Sequence, residues 1–446
     1  MHLKFLAIFS TFLWFNYFSQ KTATSPFSNL GIGEFGTLDN ASFSGIGNVS
    51  VPISDSLNLN FYNPASYCFL GNGQPLFSTG ISSRFSTFSE NGNSNKSKII
   101  AVNHFALGIP FGKRSGLAFG LKPFSRKGYD FYEKNLINLD TMKNIYRGSG
   151  STNQAFIGYA FKILKSKKHK LGLGANINYI FGSVLNERIA HLSTITSGGT
   201  EEITTQIKSL HYELGLNYVY HLKYNRFLNV GVSFTPQQDL IASKNTRIYS
   251  FSNVENKNSY QLLYLLSEKG NVSIPSVFSG GLSYTLRPKI DSSFNKTKIP
   301  QFIFFSQFSY TNWKNYKTDF VSDSSLSFLN SINISFGVEF ALHYNSLDRS
   351  TTINYLSRIK YRVGYNYATL PFEQLSTQLS SSAFTFGLSF PIVSQRSVSS
   401  LNLGISYGNR GIKDPAGLNE KFFGLNFGII IAPGNYDRWF RKYKID

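Results

Sequence analysis

Two short glycine motifs and one cluster of charged residues are the places where this chain could do chemistry. Gly31-x-Gly33-x-x-Gly36 has the spacing of a dinucleotide-binding turn, where glycines let the backbone approach a pyrophosphate. That turn needs a strand before it and a helix after it. The flanking sequence offers neither, so the glycines read as the tight backbone of a compact segment. Gly404-Ile405-Ser406-Tyr407-Gly408 has the spacing of a nucleophile elbow. Here Leu403, Ile405 and Tyr407 alternate within a strand pattern, and the flanking strand segments 380–392 and 420–431 hold no histidine to act as base. The seven histidines lack metal-ligand spacing; His211 and His221 would stand ~33 Å apart on one strand. The single cysteine, Cys68, permits neither an internal disulfide nor a cysteine metal site, and reads as a small buried residue. These readings point away from an enzyme and from any cofactor or metal.

The charged cluster is Glu339, His343, Arg358, Lys360 and Arg362, on one face of two successive strand candidates. Charges in a narrow interior need partners. The cluster therefore pairs within itself, binds a segment filling that interior, or lines a polar path.

The elements that must position it follow from period two. From about 77 to 431 apolar residues alternate with small or polar ones, as in Phe423, Leu425, Phe427, Ile429 and Ile431 against Gly424, Asn426 and Gly428. Likewise Ile332, Ile334, Phe336, Val338, Phe340 and Leu342 oppose Asn333, Ser335, Gly337, Glu339, Ala341 and His343. Ile359, Tyr361, Val363, Tyr365 and Tyr367 oppose Arg358, Lys360, Arg362 and Gly364. The pattern predicts fourteen strands, at about 77–88, 98–111, 115–125, 151–164, 170–185, 204–222 and 226–240, then 276–288, 299–312, 331–344, 354–367, 380–392, 399–409 and 420–431. Connections after even strands are short, such as Gly112 to Arg114, Ser166 to His169 and Lys223 to Asn225. Those after odd strands are long, notably 126–150, 186–203 and 241–275. Sorting by parity puts short turns on one rim and long loops on the other, which is the pattern of an outer-membrane barrel. The fold class is therefore an all-β, 14-stranded antiparallel transmembrane β-barrel, apolar face outward to lipid, with Tyr near strand ends as an interfacial girdle.

Composition agrees. Of 446 residues 16% are aromatic and only 15% charged, with 37 Gly, and no internal run of ~18 apolar residues could form a membrane helix. The formal charge of +20 is scattered over turns and loops. It suits anionic headgroups and lipopolysaccharide phosphates of an outer membrane better than nucleic acid, which an exported chain would not meet. Export is expected from Lys4 and the apolar run Phe5 to Phe18, with Ser19-Gln20-Lys21 as a cleavage point. The expected division is a signal peptide at 1–20, an N-terminal hatch or plug at 21–75, the barrel at 76–431 and a basic-aromatic periplasmic tail at 432–446. A fourteen-stranded barrel leaves a lumen that wall side chains alone do not fill, so 21–75 is the natural plug.

With these features assembled, the chain resembles the FadL-type outer-membrane transporters of long-chain fatty acids and other hydrophobic compounds. The sharpest likeness is Phe61-Tyr62-Asn63-Pro64-Ala65-Ser66 before the first strand, similar to that family's Asn-Pro-Ala hatch signature. Trp313 at a strand end and Arg362-Val363-Gly364-Tyr365-Asn366-Tyr367 add to it. More locally it resembles a Bacteroidota branch, through Ser25-Pro26-Phe27-Ser28-Asn29-Leu30-Gly31-Ile32-Gly33, Gly120-Leu121-Lys122-Pro123-Phe124-Ser125 and the tail Trp439-Phe440-Arg441-Lys442. The resemblance implies passive uptake of a hydrophobic small molecule, gated by a hatch around Asn63, Pro64 and Ala65, with lateral release where the third strand kinks. Pro123 falls in that strand. Proline cannot complete the ladder, so it either opens the wall there or ends the strand at its rim. The same wider group includes accessory barrels of the type IX protein secretion machinery. The chain continues past its last strand through Ala432-Pro433-Gly434, so a second expectation is a barrel whose Trp439 and Phe440 dock on such a complex.

Overall fold

Alternating apolar side chains cannot all face one interior in a chain this long without leaving half of each strand against solvent. The computed structural model resolves this by closing the sheet with its apolar face outward. It describes residues 25–433 except 30, 37–39, 138–139, 193, 195–196, 224–225, 288–299, 321–327, 344–353, 394–397 and 413. After a two-residue strand β1 (Glu34–Phe35) come β2 (Leu76–Glu90), β3 (Asn93–Phe111), β4 (Ser115–Arg126), β5 (Tyr129–Ile137) and β6 (Asp140–Lys165). Next are β7 (His169–Leu192), β8 (Gly198–His221), β9 (Phe227–Thr235), β10 (Gln238–Phe251), β11 (Tyr260–Ile274) and β12 (Val277–Leu286). The wall ends with β13 (Gln301–Thr311), β14 (Lys317–Thr318), β15 (Ser331–Ala341), β16 (Lys360–Gln374), β17 (Thr377–Val393), β18 (Val398–Gly411) and β19 (Asn419–Ile431). Four successive pairs, β4/β5, β9/β10, β11/β12 and β13/β14, are pieces of single interrupted wall strands, because each pair shares neighbours. The wall thus has fourteen antiparallel strands, closed by β19 against β2 from Asn419↔Ser89 to Ile431↔Phe77.

The burial pattern is inverted relative to a soluble sheet. On β15 Phe336 and Val338 are exposed while Ser335, Glu339 and Ala341 are buried; on β19 Phe423, Phe427 and Ile431 are exposed while Asn426 is buried. Apolar residues out and polar residues in is the arrangement lipid demands, and the closed ladder pairs the backbone around most of the wall.

Three expectations need correction. The stretches 126–150, 186–203 and 241–275 are not loops but strand extensions. β5 and β6 pair from Tyr129↔Gly148 to Ile137↔Asp140, β7 and β8 pair up to His191↔Gly198, and β10 and β11 pair from Gln238↔Ile274 to Phe251↔Tyr260. Beyond the lipid band neither face needs to be apolar, so the alternation that marks a wall strand fades although the hydrogen bonds continue. Second, the eleventh wall strand is displaced. Tyr355–Arg358 is a 3-10 turn, Ile359 is buried rather than lipid-facing, and β16 runs on to a tight turn at Leu375 and Ser376, whose φ values are 52° and 58°. Third, turn length does not sort by parity throughout, since 287–300 and 342–359 are long connections on the rim that otherwise carries short turns. No helix among the described residues is long and apolar enough to cross a membrane; the strands do the crossing.

Phe386 sits outward at mid-height of β17. Phe386→Lys should destabilise the barrel in lipid vesicles by ~2–4 kcal/mol, measured by urea unfolding, whereas Thr385→Ser, on the inner face, should change it far less.

Candidate functional site

Residues 41–70 are held against the inward face of the wall, and glycine is what lets them approach. Twelve of the fourteen wall strands, all but β2 and β13, carry a glycine at which an added Cβ would meet this segment. At Gly174 it would lie 2.5 Å from the Pro64 carbonyl carbon, at Gly337 2.6 Å from the Ile46 oxygen, and at Gly387 2.8 Å from the Gly45 Cα. Several are direct cross-strand partners, as in Gly174↔Gly215, Gly231↔Gly281 and Gly337↔Gly364. The inward surface is thus smooth at one level around most of the circumference. β13 contributes Gln307 instead, whose Oε1 accepts from the N–H groups of Ser50 and Val51 at 2.9 and 3.0 Å. Thr385 Oγ1 accepts from Gly47 N–H at 2.8 Å. Wall side chains in this way satisfy backbone donors of an irregular segment, which would otherwise be costly to bury.

The Asn63-Pro64-Ala65 residues have a local reason. Asn63 caps the 3-10 turn Pro64–Phe69, its Oδ1 accepting from Ala65 N–H at 3.1 Å, with proline at the first turn position, where it loses no hydrogen bond. The Asn63 amide donates to the Val51 carbonyl at 2.8 Å and to Leu216 of β8 at 3.1 Å, so one side chain ties two parts of the segment to the wall. Ala65 is fully buried, its backbone set against Gly172 and Gly215. Asn60 makes a parallel tie, donating to Ser50 and Ile53 carbonyls.

Sequence reading missed a second polar set on the far side of the lumen. Tyr67 donates to Asn176 Oδ1 at 3.0 Å, Asn176 donates to Glu213 Oε2 at 3.0 Å, and Lys122 Nζ stands 3.7 Å from Glu213 Oε1. Lys122 also faces the rings of Phe61, Tyr62 and Phe156 at 5.4–5.7 Å, within cation–π range. The inward alternation of His211, Glu213 and Asn217 was the available signal; the pairing with a lysine on β4 was not. Cations are buried in the lumen as well as spread over turns: Lys122, Lys127, Lys244, Arg362 and Arg410 are all 9% exposed or less.

The expected cluster is partly assembled. Arg362 Nε donates to Glu339 Oε2 at 2.7 Å, and Lys360 Nζ lies 3.5 Å from Glu339 Oε1 and 3.9 Å from Asp55 of the segment. Arg362 Nη1 also donates to Asn402 at 3.3 Å. Arg358 lies on the preceding 3-10 turn and lines the same cavity. His343 is buried at the end of β15, with its backbone N–H on the Ser357 carbonyl. Ser406 is mid-strand in β18, and the facing residues of β17 and β19 include no histidine. Gly31 and Gly33 adopt φ of 54° and 94° just before β1, a turn open to glycine that leads into a two-residue strand rather than directly into a helix. Trp439 and Phe440 lie outside the described residues.

Pro123 marks an interruption in the wall. β3 and β4 pair only from Phe105↔Leu121 to Phe111↔Ser115. Above that, Asn93–His104 of β3 have no strand partner on the β4 edge among the described residues, while their other edge stays paired to β2. The β4–β6 register slips between Pro123 and Ser125, leaving Phe124 as a bulge. β1 takes the vacated edge, with Glu34↔Arg126 and Phe35↔Ser125. Arg126 Nη2 reaches across to the Val102 carbonyl at 3.2 Å. A cavity of about 350 Å³ on the long-hairpin side of the segment reaches this break, lined there by Phe35, Ile99 and Arg126. A cavity of about 530 Å³ lies on the other side, toward the short turns.

Burial pushes the Cys68 thiol up to about 12, from an ordinary value near 9. A folded-state value raised in this way leaves stability intact below the unfolded value and removes it as pH climbs from about 9 toward 12. Cys68 should resist maleimide at pH 8 in the intact barrel and react at once in denaturant. Gly337→Val should push Ile46 off the wall and raise the labelling rate by about tenfold or more, read by mass spectrometry. Asn63→Ala should cost ~1–3 kcal/mol through orphaned carbonyls, read from the unfolding midpoint.

No curated protein matches the sequence. Among solved structures, the chain is similar to the CymD monoaromatic hydrocarbon channel, at 13% identity and a TM-score of 0.54 over 91% of this chain and 100% of that one. It is similar to a Pseudomonas aeruginosa FadL homologue, at 12% identity and a TM-score of 0.57 over 90% and 99%. It is also similar to the P. putida toluene transporter TodX, at 16% identity and a TM-score of 0.55 over 89% and 99%. At such identities the likeness is one of fold. The family model for BamG matches residues 1–446, and the chain belongs to the BamG family.

Proposed function

We propose that this chain is an outer-membrane channel for hydrophobic small molecules, with residues 21–75 as its hatch and the break between β3 and β4 as its lateral exit. The observation that carries the reading is the ladder that stops at Leu121. In a closed barrel every edge is paired; here one stretch of wall is paired only by β1, which belongs to the N-terminal segment and not to the wall. A solute that moved β1 and its neighbours would pass from the lumen toward lipid without crossing the polar rim. The structural neighbours, among them a monoaromatic hydrocarbon channel and a toluene transporter, support the substrate class. Export by residues 1–20 and a Bacteroidota origin belong to the same proposal.

The rival reading is an accessory barrel of a protein secretion complex, in which the glycine-seated hatch would never leave. Cys68 separates the two, because it is the chain's only cysteine and lies in the seated turn. Under the channel reading, toluene or a medium-chain fatty acid should speed Cys68 labelling of the full-length barrel in vesicles. Pro123→Ala, which restores a ladder donor, should lower uptake of the same solute several-fold. Labelling and uptake both unchanged, with a large envelope protein co-purifying, would favour the accessory.

A further inference from the structure

One sector of the outward wall gathers positive charge where the strands leave the apolar band on the long-hairpin side. Residues directly opposite one another on β3, β2 and β19 form level rows. One outward row is Lys96, Thr87 and Lys421, and the outward row below it, toward mid-wall, is Lys98, Phe85 and Phe423. All three lysines are exposed. Carried across β18, β17 and β16, the upper row continues as Asn409, Ser382 and Tyr367, none of them charged. Among the described residues no carboxylate answers these lysines. Glu420, beside Lys421, turns inward to Arg84 and Arg410, and Glu90 at the hairpin tip accepts from Gln374 Nε2 at 3.0 Å. Lys98 Nζ stands 5.3 Å over the Phe85 ring, which packs on Phe423 at 6.5 Å. That contact sets the ammonium at the edge of the apolar band and leaves its charge to be matched from outside. Below it Ile81, Ile100, Val102 and Phe427 are exposed. Cations over aromatic rings over aliphatic side chains is the profile of a headgroup boundary.

We infer that this sector of the outer wall binds the polyanionic sugar head of a glycolipid of the surrounding leaflet, with its phosphates on Lys96, Lys98 and Lys421. The spacing selects the head. Lys96 and Lys421 lie two strands apart, ~10 Å, and Lys96 and Lys98 two residues apart, ~7 Å, so one phosphate or carboxylate cannot reach all three. At least two anionic groups on a rigid spacer can. Thr87, with Ser89 and Ser94 in the next row outward, offers hydroxyls to the sugar between them. Among the described residues, β3 has no strand partner on its β4 edge from Asn93 to His104, so a head bridging β3 to β19 ties down the strand that the wall pairs least. The inference stands apart from the channel reading, because this face lies outside the lumen and fills whether or not anything crosses.

The test uses the purified full-length barrel in a non-ionic detergent, with binding read by native mass spectrometry. The probes are diphosphoryl lipid A, dilauroyl phosphatidylglycerol, laurate and a polyglutamate peptide. Diphosphoryl lipid A should bind about tenfold or more tightly than each of the others, since it alone places two phosphates on one rigid head. Lys96→Gln/Lys98→Gln/Lys421→Gln should weaken it by a similar factor, while Lys134→Gln/Lys143→Gln on the distal β5–β6 hairpin should not. Should the triple variant fail to fold, raising salt on the unaltered barrel should weaken lipid A severalfold. Phosphatidylglycerol or laurate binding as tightly as lipid A would overturn recognition of a wide head. Polyglutamate binding as tightly would overturn the glycolipid, and a folded triple variant that keeps full lipid A binding would overturn the site.

Discussion

The structure depends on backbone meeting backbone across the lumen. A barrel of fourteen strands is too wide for wall side chains to fill, and a segment laid inside it must satisfy its own irregular backbone. Glycine in the wall solves both problems together, because it lets Ile46, Gly47, Val51 and Pro64 come within van der Waals distance of the strands and within reach of Gln307 and Thr385. The pleat enforces the placement. A lumen glycine at the wrong parity would face lipid, so the seating level is written into the same period-two pattern that makes the wall.

That coupling explains how much could be read in advance. All fourteen wall strands were legible, because lipid outside and polar lumen inside impose strict alternation. The ends of the strands were not, since the hairpins beyond the lipid band are wet on both sides and obey only hydrogen bonding. Glu339 with Arg362 was legible because β15 and β16 are adjacent and in register. Lys122 with Glu213 was not, since their strands are separated by β6 and β7 and meet only across the lumen. The lumen glycines were visible as inward positions, but nothing in the pattern tells a glycine that lines space from one that admits another backbone.

The distribution of charge follows the same logic. The lumen holds carboxylates and cations in pairs around Glu339 and Glu213. It holds Arg410 between Glu34 of β1 and Glu420 of β19, at 2.7 and 3.8 Å. Each of these pairs is dearly desolvated, so none is a strong argument for stability. What they supply is position: Arg410 fixes β1 to the wall, and Lys360 reaches from Glu339 to Asp55, so the charged residues mark where the segment is fastened.

The wall break gains its meaning from those fastenings. Pro123 removes a ladder donor, Phe124 bulges, and the exposed edge of β4 is taken by Glu34 and Phe35 instead of by β3. Phe35 in turn packs on Phe124 and Trp313 at 5.1 Å each, edge to face. The strand that covers the break is therefore held by one ion pair, two backbone pairings and two ring contacts, far less than the glycine-seated turn below it. A chain built this way has its weakest closure where the wall is already interrupted.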